Sequence, residues 1–498
     1  MIRMKPTLLA LLAATTGLAG CNLAPKYVQP VGAVPAALPS GGIYPRAATD
    51  AVDISAIGWR DFFTDDKLRQ VIQTGLDNNR DLRLAAANVL QARAQYRIQR
   101  SDLLPTIAGT ASVTRTNNVF GAAGAAGGAG SGTGTGVGTG AGVGTGAGVG
   151  TGTSSGDLTI YSANVGISAF ELDLFGRVRN LSEAALQQYF ATEEAQRATR
   201  ITLIAEIATA YATMASDQDL LRIAQNTLVS FEQSLKLTRA QFRIGVASEL
   251  EARQAETTYE GARNDIAALR AQIARDQNAL NLLAGTTIPA DLLPTALGTG
   301  VVARETLPGN LPSSVLLRRP DVLQAEHQLI AQNANIGAAR AAFFPQISLT
   351  ATLGTLSTAL GSLFGSGTGT YSVSPNASIP IFDFGQRKGN LDYARASQQA
   401  AVATYEKTIQ TAFREVADAL AQRGTIGEQV RARTAQAEAA TVASRLSDAR
   451  YRAGVDSFLV SLDSQRSAYA AQQNLVTTRL TYAGNLVELY RALGGGLK

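Results

Sequence analysis

The sequence predicts a duplicated, elongated fold of long α-helices and amphipathic β-hairpins. Three observations predict it. Segments recur at fixed offsets, each copy holds short runs alternating apolar with polar residues, and each copy has a long proline-free stretch rich in Ala, Leu, Glu, Gln and Arg. Such self-similarity is the signature of a repeat architecture.

The duplication comes first. Gln241 to Ser248 (QFRIGVAS) matches Arg450 to Ser457 (RYRAGVDS) at an offset of 209, held without a gap to Ala284-Gly285 against Leu493-Gly494. Asp81 to Pro105 matches Asp321 to Pro345 at an offset of 240, and Tyr161-Ser162 matches Tyr371-Ser372 at 210. Repeat one is therefore expected over 60–285 and repeat two over 312–498, joined by a linker, 286–311. Between the Pro and the Tyr the offset falls by 30 residues, so repeat one carries an insertion there. The Gly-rich tract 121–156 (GAAGAAGGAGSGTGTG…) occupies it. Its composition cannot build a packed core, and it reads as an enlarged loop.

The strands follow from a period of two. Gln346 to Leu353 (QISLTATL), Tyr371 to Ile379, Ile107 to Thr114 and Ala163 to Ala169 each alternate apolar or small residues with polar ones. They form one hairpin in each repeat, within 106–170 and 346–382, with strands of about 9–11 residues. That length suits a tilted membrane strand. A soluble hairpin with one wet face shows the same alternation. Four strands cannot close a membrane barrel, whose practical minimum is about eight, so spanning strands would have to be shared by several chains.

The helices follow from a period of 3.6. Ile201, Ile204, Ala205, Ala208 and Ala212 form one stripe. A single helix is expected from Arg177 to Phe242, about 100 Å long at 1.5 Å per residue, with its counterpart from Arg387 to Arg452. Each ends at a glycine turn, Gly245 or Gly454, where glycine supplies the positive φ of a helix reversal. A helix of about 35 residues follows each turn, and another helix precedes each hairpin.

Composition narrows the functional classes. The chain has 498 residues, 45% hydrophobic and 17% charged, with a formal net charge of +5. A balance that small over this length, without a Lys/Arg block, gives no nucleic-acid footprint. The one Cys cannot form an intrachain disulfide, and one His without partners does not make a zinc site. His327 sits inside a helical pattern and reads as a structural residue. No metal ion and no cofactor is expected. No nucleophile–His arrangement is present, and the Gly tract lacks the Gly-Lys-Ser/Thr ending of a phosphate loop. The chain is therefore not expected to be an enzyme.

The N-terminus reads as a signal peptide, residues 1–20: Arg3 and Lys5, then TLLALLAATTGL, then Leu18-Ala19-Gly20-Cys21. The LAGC string resembles the bacterial lipobox, in which Cys21 becomes the lipidated first residue. Residue 22 is Asn rather than Asp, which by resemblance to lipoprotein sorting directs the chain to the outer membrane. Residues 21–59, rich in Pro, Gly and Ala up to residue 50, read as an arm. No other apolar run is long enough for a spanning helix.

Taken together, the chain resembles the TolC-like outer-membrane efflux proteins, and more closely the lipoprotein branch typified by OprM. The matching stretches are Gly58-Trp59-Arg60-Asp61-Phe62-Phe63, Asn79-Arg80-Asp81-Leu82-Arg83, Ala94 to Arg100 (AQYRIQR), Asp173-Leu174-Phe175-Gly176-Arg177, Gly245-Val246-Ala247-Ser248, Leu317-Arg318-Arg319-Pro320-Asp321-Val322 and Tyr451-Arg452-Ala453-Gly454-Val455. The resemblance implies a homotrimer in which four strands per chain make a twelve-stranded transmembrane β-barrel. Beneath it, a long α-helical barrel crosses the periplasm, with residues 286–311 in its equatorial region. It implies a passive exit duct of a tripartite efflux pump, working with a periplasmic adaptor (membrane fusion protein) and an inner-membrane RND-type transporter to pass drugs or other small molecules.

Site residues follow from the resemblance alone. Gly245, Val246, Ala247 and Ser248, and Gly454, Val455, Asp456 and Ser457, are expected to contact the adaptor. Leu459 and Asp463, four apart on one helix, are expected at the periplasmic aperture, where three copies of Asp463 form an acidic ring and Arg466 pairs with a carboxylate. Repeat one has Leu250 and Gln254 at the corresponding positions. Two alternatives stand beside this reading: an exit duct for type I secretion of polypeptides, and a structural coiled-coil lipoprotein.

Overall fold

The computed structural model describes residues 22–45, 57–116, 158–297 and 312–495. The signal segment 1–20, Cys21 and the Gly-rich tract 121–156 lie outside the described residues.

The order of elements is the same in both halves. In the first, a four-residue helical turn α1 (Trp59–Phe62) and α2 (Asp66–Asn78) lead into α3 (Arg80–Ser101), β1 (Ile107–Thr116), β2 (Leu158–Glu171), α4 (Arg177–Arg243) and α5 (Glu249–Ala284). In the second, α6 (Pro320–Ala341) is followed by β3 (Gln346–Ser357), β4 (Gly369–Ser378), α7 (Gln386–Arg452) and α8 (Phe458–Ala492). The long helices α4 and α7 have 67 residues each, and the two that follow have 36 and 35.

Local chemistry fixes the helix ends. Asp65 caps α2, its carboxylate accepting from the N–H groups of Lys67 and Leu68. Ser248 and Glu251 form a reciprocal capping box on α5. Asp383 accepts from the backbone N–H groups of Gly385 and Arg387 at the start of α7 and pairs with the Arg387 side chain. That explains the acidic residue before each Phe-Gly: Asp173 likewise accepts from the N–H of Arg179.

The chain forms two compact units. Of the described residues, one takes in 22–27, 93–116, 158–187 and 330–399. It holds a four-stranded antiparallel sheet in the order β1-β2-β3-β4. Ile107 faces Ile167, Val165 faces Leu353 and Leu349 faces Pro375. The central pairing, β2 with β3, joins the two halves of the sequence. β3 has 12 residues, and β2 has 14, longer than the 9–11 expected; a bulge between Ile167 and Phe170 extends β2 beyond its alternating run. Ala169 takes a positive φ of 48° within it. The edge strands are exposed: β4 along its whole length, β1 everywhere except at Thr114 and Thr116.

Of the described residues, the other unit takes in 28–45, 57–92, 188–297, 312–329 and 400–495. Phe62 and Phe63 from the Gly-Trp-Arg-Asp-Phe-Phe stretch pack on Tyr490, with ring centroids 4.3 Å and 5.8 Å from it. Arg319, from the Leu-Arg-Arg-Pro-Asp stretch, is 5% exposed. It donates to Asp321, Glu415 and the backbone carbonyl of Ala492. His327 is half-buried, its ring 5.4 Å from that of Phe190, and burial lowers its pKa.

The arm is laid down on the helices residue by residue. Within the sheet-bearing unit, Arg340 donates to the carbonyl of Leu23 and Asn333 to that of Pro25. A Cβ on Gly337 would lie 2.8 Å from Ala24. Within the other unit, Gln29 donates to the Tyr405 hydroxyl, and Ser313 N–H donates to the carbonyl of Ala36. The carbonyl of Ile43 fills the place where Gly424 would carry a Cβ, 1.7 Å away.

Candidate functional site

The residues singled out from the sequence cluster at the two helix turns. In the first, Gly245 (φ 77°) donates its N–H to Phe242 O, and Val246 N–H reaches back to Gln241 O. In the second, Gly454 (φ 73°) donates to Tyr451 O and Val455 to Arg450 O. This is the paired hydrogen-bond pattern of a helix stop built on a left-handed residue. It leaves Ile244, Val246, Leu250, Val455 and Leu459 exposed. Small, rigid turns flanked by exposed apolar side chains suit contact with another protein.

The turns differ in charge. Arg450 brackets Asp456 with two hydrogen bonds of 2.7 and 2.9 Å. That pairing holds the Asp456 carboxyl below the usual carboxylate range. Repeat one has Ala247 at that place. Ser248 is a side-chain cap for α5, whereas Ser457 precedes α8 without a side-chain capping bond.

On α8, Phe458, Ser461, Leu462 and Gln465 are buried. Leu459 and Asp463 are exposed, one turn apart on one face, as their spacing predicts. Leu250 is likewise exposed on α5, while Gln254 is half-buried. Within the chain, the guanidinium of Arg466 donates to the Thr258 hydroxyl at 3.1 Å. A long side chain on the flank of α8 reaches the facing α5, and the group it meets there is a threonine.

Sequence reasoning missed the polar links that tie the two helix pairs together. Tyr451 donates to Gln241 at 2.6 Å, Gln465 to Ser234 at 3.1 Å and Tyr469 to Asp265 at 2.9 Å. An apolar cluster of Leu235, Ala255, Phe458 and Leu462 lies among them, flanked by Tyr259 and Tyr451. A polar cavity of about 310 Å³, lined in part by Ser230, Gln233, Asp448, Arg452 and Tyr469, opens beside it. The partners stand more than 200 residues apart, and nothing in the local pattern of either segment marks the other.

Among the described residues, no group of three or more His, Cys, Asp or Glu side chains is placed to hold a metal ion. No described helix is long and apolar enough to cross a membrane.

The family model "Outer membrane efflux protein" matches residues 71–286 and again 311–495. The chain belongs to the outer membrane efflux protein family. It is 45% identical to the probable efflux pump outer membrane protein TtgC of Pseudomonas putida, over 99% of this chain and 96% of that one. It is 38% identical to the cation efflux system protein CusC of Escherichia coli, over 99% of both chains. The crystal structure of the open state of the Neisseria gonorrhoeae MtrE outer membrane channel superposes with a TM-score of 0.81 at 36% identity, covering 96% of this chain and 99% of that one. The chain is thus an outer-membrane channel component of a tripartite efflux or secretion system. It is an outer-membrane channel protein with a periplasmic helical domain.

Proposed function

We propose that this chain is the exit duct of a tripartite efflux pump that passes small molecules across the outer membrane. The observation that supports it most directly is the sheet order β1-β2-β3-β4, whose two outer strands each pair on one side. Three such sheets joined edge to edge give twelve strands, enough to close a barrel. The working unit is a homotrimer. It receives its cargo from a periplasmic adaptor and an inner-membrane RND-type transporter. A 45% identity over nearly the whole chain to a toluene efflux pump outer membrane protein favours small-molecule cargo over polypeptides. Deleting the gene should raise the accumulation of several compounds across a panel of drugs and solvents, and re-expression should reverse it. No change across the panel would count against small-molecule efflux.

Cys21 carries the lipid, and the arm that follows it is seated from Leu23 onward. The turns Gly245 to Ser248 and Gly454 to Ser457 receive the adaptor. Leu459 and Asp463 line the periplasmic aperture, with Arg466 on the flank. Three Asp463 carboxylates near one axis attract cations and narrow the passage. Replacing Asp463 with Ala should raise the single-channel conductance of reconstituted trimers and weaken their cation selectivity. Conductance and selectivity equal to the parent's would remove Asp463 from the aperture.

A further inference from the structure

α4 carries a second surface, far from the turns. A cavity of about 390 Å³ opens where it meets the helices that precede β1. Arg60 of α1, Gln73 and Asp77 of α2, and Gln196, Arg197 and Arg200 of α4 line it. Arg200 stands about 65 Å from Arg243, the last residue of α4, at 1.5 Å per residue.

The three guanidiniums are committed to different degrees. Arg60 donates to Gln73 and lies over the Trp59 ring, 4.5 Å from its centroid. Arg197 pairs with Glu194 at 2.6 Å, with its side chain 59% exposed. Arg200 is exposed and has no hydrogen-bond or ion-pair partner among the described residues. The carboxylate that faces them, Asp77, accepts from Gln73 at 2.8 Å. An ionised carboxylate has about four acceptor sites, so Asp77 keeps capacity for further donors.

The duplication shows what the same place holds in repeat two. At the offset of 209, Gln196, Arg197 and Arg200 correspond to Tyr405, Glu406 and Ile409 of α7. At the offset of 240, Gln73 and Leu76 correspond to Ser313 and Leu316. The arm runs between these two sides. Towards α7, Gln29 donates to the Tyr405 hydroxyl and Gln410 donates to the carbonyl of Ala33. On the other side, Ser313 N–H donates to the carbonyl of Ala36, and Ala37 bridges to Pro312. Tyr405, Ile409 and Leu316 are buried. Residues 28–37 of the arm (VQPVGAVPAA) carry no charge, and most of the groove that receives them carries none either. Repeat one has arginines in that groove, and no described segment of the arm lies on them.

We propose that the groove of Arg60, Arg197 and Arg200 is a docking site for an extended acidic peptide segment of another periplasmic protein.

Charge complementarity selects an acidic segment, and the arginine fork holds a carboxylate through two parallel hydrogen bonds. Two features select a peptide over a bare anion. Asp77 repels an anion but accepts a main-chain N–H. The Gln196 amide offers both a donor and an acceptor to a main chain. The equivalent groove of repeat two already seats a strand of this kind, uncharged and rich in proline.

A short labelled peptide of alternating Pro and Glu, capped at both ends, tests this on the assembled trimer in neutral detergent. Fluorescence anisotropy should show saturable binding that weakens as salt is raised. The matching Pro-Gln and Pro-Lys peptides should bind at least tenfold more weakly. Arg200→Gln should weaken the Pro-Glu peptide roughly tenfold, the scale of one lost charge-assisted contact. Arg431→Gln removes an exposed arginine of α7 that pairs with Glu428, and should bind like the parent. Trp59 is the chain's one tryptophan and lies under Arg60, so its emission should change on binding. No saturable binding, equal binding of the Pro-Gln peptide, parental affinity in Arg200→Gln or an equal loss in Arg431→Gln would each overturn the proposal. So would binding that leaves Trp59 emission unchanged, which places the peptide elsewhere. Inorganic phosphate that competes as tightly as the peptide binds would reduce the groove to an anion pocket and overturn peptide docking. None of these readouts depends on conductance or transport, so the outcome is separate from that of the duct and aperture assignments.

Discussion

Arg319→Ala should destabilise the helical unit by about 3–5 kcal/mol, the range for removing one partner of a buried ion pair. The guanidinium is almost wholly buried, and all its acceptors come from distant parts of the chain or from its own turn. Asp321 receives two of its hydrogen bonds, Glu415 of α7 a third and the carbonyl of Ala492 at the end of α8 a fourth. Removing it strands Glu415 beside Glu488, with Arg491 left to serve both. Arg319→Lys keeps the charge but cannot fork to three acceptors, and should recover only part of the loss. The measurement is the denaturant midpoint of the helical signal in purified protein. A midpoint shift corresponding to less than about 1 kcal/mol would show that the network is solvated and contributes little.

That residue also marks the boundary of what the sequence made legible. Arg319 was visible as part of a family stretch, but not as a hub, because Glu415 and Ala492 lie 96 and 173 residues away. What the sequence carries well is periodicity over long runs. The helix expected over Arg177 to Phe242 is observed as Arg177–Arg243, and the one over Arg387 to Arg452 as Gln386–Arg452. Proline-free helical pattern and a following glycine are local signals, so both ends were readable. The four strands were readable as alternation, but β2 runs past it, because a bulge re-phases the pattern where the strand is still paired.

The candidate site divides along the same line. The turns at Gly245 and Gly454, and the shared exposed face of Leu459 and Asp463, follow from spacing on one helix. The partner of Arg466 does not, since it depends on which side chain of α5 faces α8. The seating of the arm was equally hidden. Gly337 and Gly424 are unremarkable glycines within helical runs until Ala24 and the carbonyl of Ile43 are found in the space they leave. Glycine is costly inside a helix, so two of them under an extended segment are explained by close backbone approach.

Close approach also decides the second large effect, in the sheet. Gly354 of β3 faces Asn164 of β2, and Gly166 of β2 faces Thr352 of β3. A Cβ on Gly354 would lie 2.3 Å from the carbonyl oxygen of Ala163 and 2.7 Å from Cα of Asn164. A Cβ on Gly166 would lie 2.4 Å from the carbonyl oxygen of Ala351. These obstacles are backbone atoms, which cannot swing aside as a side-chain tip can. Gly354→Val should therefore force β3 away from β2 at the one pairing that joins the two halves of the sequence in the sheet. Overpacking of this kind costs roughly 1–3 kcal/mol per site, and a trimer carries it three times. The expected result is a severalfold loss of heat-resistant trimer on a gel, with helical content retained in the protein that fails to assemble. Gly361→Val, where a Cβ would meet nothing within 4 Å, is the matched control and should assemble like the parent. If Gly354→Val gives the parent's yield of trimer, the two strands have room that their glycines do not reveal, and the seam between the halves is not what limits closure of the barrel.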